Sequence, residues 1–315
     1  CIFGGVSGAG IFTAQYFGQK DHEGVRQTLR YKLWMAVILT AITIILFLTA
    51  GGSLISMYLK GDGTAQEIRD TLIYGKQYLW IMLLGLPPFM MVQVYASTLR
   101  ECGETVLPMK AGIVAVLINL IFNYLMIYGK FGFPEMGVRG AAIGTLCARA
   151  AETVMVLVYA IFRNKVVRIR LKDMVKIDKV LLKDFAVYSM PVVLNELMWG
   201  LGTSANTAVI GHLGSAAVAA NSVAQVARQL ATVVTFGISH ATAIYLGKTI
   251  GEGKMELAKA YGKRFVWLSL ILGILGADTD LGTNRQCESG TDRTGKELLK
   301  FHVLRYVVFY CGTGI

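Results

Sequence analysis

Long uncharged stretches alternate with short charged ones along this chain. Leu33–Leu59 runs 27 residues without a charge, Gln77–Leu99 runs 23 and Ala111–Gly129 runs 19. A helix rises about 1.5 Å per residue, so roughly 20 apolar residues cross a hydrocarbon layer about 30 Å thick. A membrane β-strand needs only about 9–11 residues, so runs of this length read as helices. The pattern predicts helices at about 1–18, 33–58, 77–99, 109–129, 139–162, 184–210, 217–247 and 263–277. One such run fits a buried core helix, but eight do not fit inside one soluble domain of 315 residues. The reading is an all-α integral membrane protein.

Composition supports that class: 54% of residues are hydrophobic and 16% charged, against about 25% charged in soluble domains. The net charge of +11 is not a nucleic-acid signature, because the cations collect in short loops. Those at 18–32, 100–110, 163–183 and 247–264 hold 19 Lys and Arg, while the alternate loops at 59–76, 129–139 and 211–217 hold 5. Cationic loops stay in the cytoplasm, so the first set is expected there. The segment 163–183, with eight of these cations, reads as an orientation determinant and linker lying near anionic headgroups. Five cysteines at irregular spacing give neither a disulfide framework nor a CxxC metal motif.

Residues 3–23 and 236–256 align without a gap at an offset of 233, with Phe3/Phe236, Gly4/Gly237, Ile11/Ile244, Gly18/Gly251 and Glu23/Glu256 identical. Each stretch is an apolar helix ending at a glycine, then a polar turn into the next helix. Both copies run toward a basic loop, so the repeat is parallel, one of the two duplication plans of secondary transporters.

Ionisable residues inside apolar spans are few and therefore informative, since a central charge costs about 3 kcal/mol on insertion scales. Glu196 is the leading candidate for proton exchange or Na⁺ binding. Asn195, Trp199, Thr203 and Asn206 lie on or near its face and add polar and aromatic contacts suited to lipophilic cations. Arg149 and Glu152, three residues apart, are spaced to pair along one helix face. Arg228, with Gln225 and Gln229, is a second candidate for the interior. Asn119 and Asn123, one turn apart, either cross-link helices or meet substrate. Gly140/Gly144, Gly4/Gly8 and Gly247/Gly251 form G-x-x-x-G pairs that let helices approach closely. Pro87–Pro88 predicts a kink or hinge, and Pro191 a helix N-terminal feature. His240 has no second ligand at metal spacing, so no metal site or cofactor is expected. The G-x-S-x-G, Walker and HExxH patterns of enzymes are not completed.

Three segments resemble the multidrug and toxic compound extrusion (MATE) transporters: GIFTAQYFGQKDHEGVRQTL at 10–29, LRECGETVLPMK at 99–110 with INLIFNYLMIYGKFGFPEMGVRGAAIGTLCAR at 118–149, and MPVVLNELMWGLGTSANTAVIGHLGSAAVAANSV at 190–223. The resemblance implies twelve helices in two lobes around a V-shaped cavity, with drug export driven by H⁺ or Na⁺. The spans here would be the family's helices two to nine. Residues 1–162 would form the N-terminal lobe, 163–183 the inter-lobe loop and 184–277 part of the C-terminal lobe. The family's coupling acid on this helix falls about one turn beyond Glu196, at Trp199. The expected setting is the cell membrane, as a monomer in lipid exporting small organic cations.

Past Ala277 the polar run DTDLGTNRQCESGTDRTG is expected to end the ninth helix early, and 278–315 reads as an anomalous, frameshifted tail. The opening on Cys1, inside an apolar run, suggests truncation. Two other readings follow: a lipid-linked oligosaccharide flippase of the same superfamily, or a truncated product that exports nothing.

Overall fold

In a computed structural model, residues 2–58, 65–164, 166–167, 179–211 and 215–287 are described. Side chains in parts of the later helices, Arg228 among them, lie outside that description, as do residues 288–315. Among the described residues every regular element is helical: α1 (Ile2–Gly18), α2 (His22–Tyr58), α3 (Ala65–Leu84), α4 (Leu86–Glu101), α5 (Val106–Tyr128), α6 (Val138–Phe162), α7 (Lys179–Gly211), α8 (Ser215–Gly251) and α9 (Met255–Cys287), with a 3-10 turn at Lys130–Gly132. Among the described residues three stretches are long and apolar enough to cross a membrane: His22–Ile55, Val106–Tyr128 and Val138–Arg163. The pair α3–α4, bent by 44°, makes a fourth as one broken span.

The helices outrun the apolar stretches that announced them. α2 begins at His22 rather than near 33, and α7 begins at Lys179. Backbone hydrogen bonding continues past the last apolar side chain, whereas a hydropathy criterion stops there. For the same reason α9 continues through 278–287, correcting the expected break after Ala277. Pro191 is not an N-terminal feature, because it lies inside α7, twelve residues beyond Lys179. The α3–α4 break falls at Gly85, and Pro87–Pro88 occupy the first turn of α4, where a missing N–H costs no helical bond.

The chain forms two compact units, 1–215 and 216–315. In the first, Val6 of α1, Val25, Leu29 and Leu33 of α2, Met90, Val94 and Leu99 of α4, and Val156 and Ala160 of α6 form one buried cluster. Val167, from the start of the basic linker, is fully buried in it. Asn164 Oδ1 accepts the backbone N–H groups of Val166 and Val167 at 2.8 and 3.1 Å, which turns the chain into that position.

The second unit holds α8 and α9. Its α8–α9 turn repeats the α1–α2 turn at the offset of 233: α1 ends at Gly18 and α8 at Gly251, and α2 starts at His22 and α9 at Met255.

Candidate functional site

α1 and α7 meet along a seam of small residues. A Cβ at Gly4 would come within 2.6 Å of Glu196 Cγ, and one at Gly8 within 2.9 Å of Ser189 Cα. Glycine at both positions is what lets the two backbones close up. Further along the seam Phe12 meets Phe185 edge-on with centroids 4.9 Å apart, and Tyr31 of α2 meets Phe185 at 5.2 Å. Phe185 and Ser189 are fully buried. Glu196 is half-buried at the far end of this packed stretch, whereas Asn195, Trp199 and Asn206 on the same helix are exposed. Thr203 donates to the Gly200 carbonyl at 2.9 Å. The structure therefore brings Glu196 against α1 and leaves its predicted companions on the open part of α7. The Arg228 side chain lies outside the described residues.

The other predicted residues make contacts within and between α4, α5 and α6. Asn119 Nδ2 donates to Thr145 Oγ1 at 3.2 Å, and Asn123 Nδ2 to Asn119 Oδ1 at 3.1 Å, which joins α5 to α6. A Cβ at Gly144 would overlap Asn123 Oδ1, and one at Gly140 would come within 2.6 Å of the Met126 carbonyl. Arg149 and Glu152 pair at 2.9 Å as their spacing predicts. The Arg149 guanidinium also lies 5.1 Å from the centroid of the Phe89 ring, a cation–π distance. Thr153 donates at 2.9 Å to the Pro88 carbonyl, so α6 braces the α4 end of the kink.

One pair was not foreseen. The Lys32 ammonium donates to Glu101 Oε2 and, at 3.4 Å, to Thr98 Oγ1. The Lys32 side chain is 0% exposed and that of Glu101 8%. The partners are 69 residues apart, and each lies at the edge of an uncharged run, where sequence alone counts it as a loop charge. Next to Glu101, in the loop beyond α4, burial pushes the Cys102 thiol up to about 12.

A cavity of about 540 Å³ between α3 and α6 is lined by Asp70, Ile73, Tyr74, Gln77, Glu135, Met136 and Arg139; none of the predicted site residues lines it. Among the described residues no group of three or more His, Cys, Asp and Glu could hold a metal ion.

Comparison with known proteins gives one consistent answer. The MatE family model matches residues 1–125 and 191–277. A probable multidrug resistance protein NorM of Thermotoga maritima is 29% identical over 253 residues, covering 79% of this chain and 52% of that protein. A probable multidrug resistance protein YoeA of Bacillus subtilis is 25% identical over 274 residues, covering 85% and 57%. The chain thus spans about half the length of these relatives. Among solved structures, the outward-facing conformation of a multidrug resistance MATE family transporter superposes with a TM-score of 0.76 at 22% identity, covering 99% of this chain and 68% of that one. A MATE in the bent conformation gives 0.71 at 22% identity, covering 88% and 60%. With two-thirds of its length matched by the family model and its all-helical fold shared with solved members, the chain belongs to the MatE family of multidrug and toxic compound extrusion transporters.

Proposed function

We propose that this chain is the core of a multi-pass, ion-coupled exporter of lipophilic organic cations in the cell membrane, with Glu196 as the acid that takes H⁺ or Na⁺. One observation carries the reading: the Glu196 carboxylate, inside an apolar run, sits at the edge of the α1–α7 seam, its Cγ against Gly4. A charge placed there at a cost is expected to face a partner or a pathway. Trp199 and the amides of Asn195 and Asn206, exposed on the same helix, suit an apolar cation. The relatives named as multidrug resistance proteins make export the natural direction. In this reading the basic segments 163–183 and 247–264 face the cytoplasm, and the coupling ion is the only cofactor required.

Ethidium accumulation in efflux-deficient cells expressing the chain tests the proposal. Expression should lower accumulation, and Glu196→Gln should restore it to the level of cells lacking the protein. Unchanged efflux in Glu196→Gln would remove Glu196 from the coupling role.

A further inference from the structure

The Lys32–Glu101 pair raises a question that helix packing alone does not answer. Replacing a buried ion pair by apolar residues of similar volume is often neutral or stabilising. Stability alone therefore does not account for the pair, and fixing an arrangement is the best-attested use of such groups. Here the arrangement involves a third helix. Glu101 Oε1 lies where a Cβ at Gly10 of α1 would have to be. The pair therefore joins α2 to α4 with its carboxylate seated in a notch on α1.

A slide of α1 by one turn closes that notch. Val6, Thr13 and Ala14, the neighbours of Gly10 along the helix, carry side chains, as do Ala9 and Ile11 beside it in sequence. A one-turn slide of α1 would bring the Cβ of Val6, Thr13 or Ala14 onto the carboxylate. With Gly10 fixed, the rotation of α1 is fixed, and Gly8 and Gly4 are presented to Ser189 and Glu196 of α7.

We propose that Lys32 and Glu101, keyed into Gly10, are positioning residues that set the rotation and height of α1 and, through it, the seat of Glu196 against Gly4. A single buried polar group fixing helix register is the best-attested use of such groups. The claim concerns the geometry of α1 and stands whether or not Glu196 couples transport.

Disulfide trapping in membranes tests it directly, in a background that keeps Cys102 and replaces the other four cysteines by serine. Gly8→Cys paired with Ser189→Cys should cross-link after the small opening of the seam that a Cβ at position 8, 3.2 Å from Ser189 Cβ, requires. Ser7→Cys with Ser189→Cys should not, since Ser7 is exposed on another side of α1. We expect a preference of about tenfold or more for position 8, because disulfides demand close Cβ atoms. Adding Lys32→Met with Glu101→Leu, which keeps the volume and removes both charges, should reduce that preference to about twofold or less. An undiminished preference in the apolar pair would overturn the proposal. Should that variant not fold, Gly10→Ala takes its place: its methyl overlaps the carboxylate, so the preference must fall, and an unchanged one also overturns the proposal.

Discussion

The turn after α1 and the turn after α8 share a backbone and little else. In the first, Gln19 N–H donates to the Gln15 carbonyl, Lys20 to Phe17 and Asp21 to Tyr16; in the second, Glu252 donates to Lys248, Gly253 to Ile250 and Lys254 to Thr249. Every donor and acceptor corresponds at the offset of 233. The last two bonds of each set are the Schellman pattern that satisfies the end of a helix. This pattern needs one residue in the left-handed region. The second copy places Gly253 there at φ 76°, but the first places Lys20 there at φ 62°. The first copy in turn has Asp21, whose carboxylate accepts the N–H groups of Glu23 and Gly24 at 3.1 and 3.0 Å and so caps α2. The second has Lys254, which pairs with exposed Glu252 at 2.8 Å and caps nothing. Each copy thus meets one requirement well and the other poorly, and the same hydrogen bonds form in both.

The contrast is sharpest at the glycine inside each helix. Gly4 has Glu196 and the Val192 carbonyl against it, whereas its counterpart Gly237 has nothing within 4 Å among the described residues. Gly4→Ala should therefore destabilise the protein by about 1–3 kcal/mol through overpacking, and Gly237→Ala should stabilise it by up to about 1 kcal/mol through helix propensity. Thermal unfolding in detergent reads both, and equal shifts would show that the copies are equivalent after all. Next in size, Asp21→Ala should cost about 1 kcal/mol as α2 loses its cap. The corresponding Lys254→Ala, which removes one exposed ion pair, should leave the melting temperature close to that of the native chain. Smallest, Lys20→Gly should gain about 0.5 kcal/mol by relieving the left-handed lysine; a loss of stability would mean that the Lys20 side chain makes up for its backbone.

What the residue pattern could announce depended on how local the signal was. Gly18 and Gly251 marked the repeat, Pro87–Pro88 a break in the third span, and the spacing of Arg149 and Glu152 their pairing, because each is settled within a turn or two of chain. The ends of α2, α7 and α9 were misplaced because helical hydrogen bonds do not stop where hydrophobicity does. Pro191 was misread for the same reason, since α7 starts well before its apolar stretch. Within the candidate site, Glu196 was found as an acid in an apolar run, but its seat on Gly4 belongs to a packing of α1 on α7 that no spacing encodes. Lys32 was counted among the loop cations that set orientation, yet it is completely buried. Only the tertiary meeting of α1, α2 and α4 separates a buried cation from a solvated one.

Cys102 shows what such burial does to chemistry. With its thiol pushed up to about 12 by burial, Cys102 is held as the neutral thiol, whereas the thiolate is the species that reacts with disulfides and alkylating reagents. Oxidation to sulfenic acid starts from the same species. Cys102, buried at 6% exposure, is thus a poor nucleophile that packs as a small apolar side chain. Probes introduced elsewhere in the chain can be read without removing it.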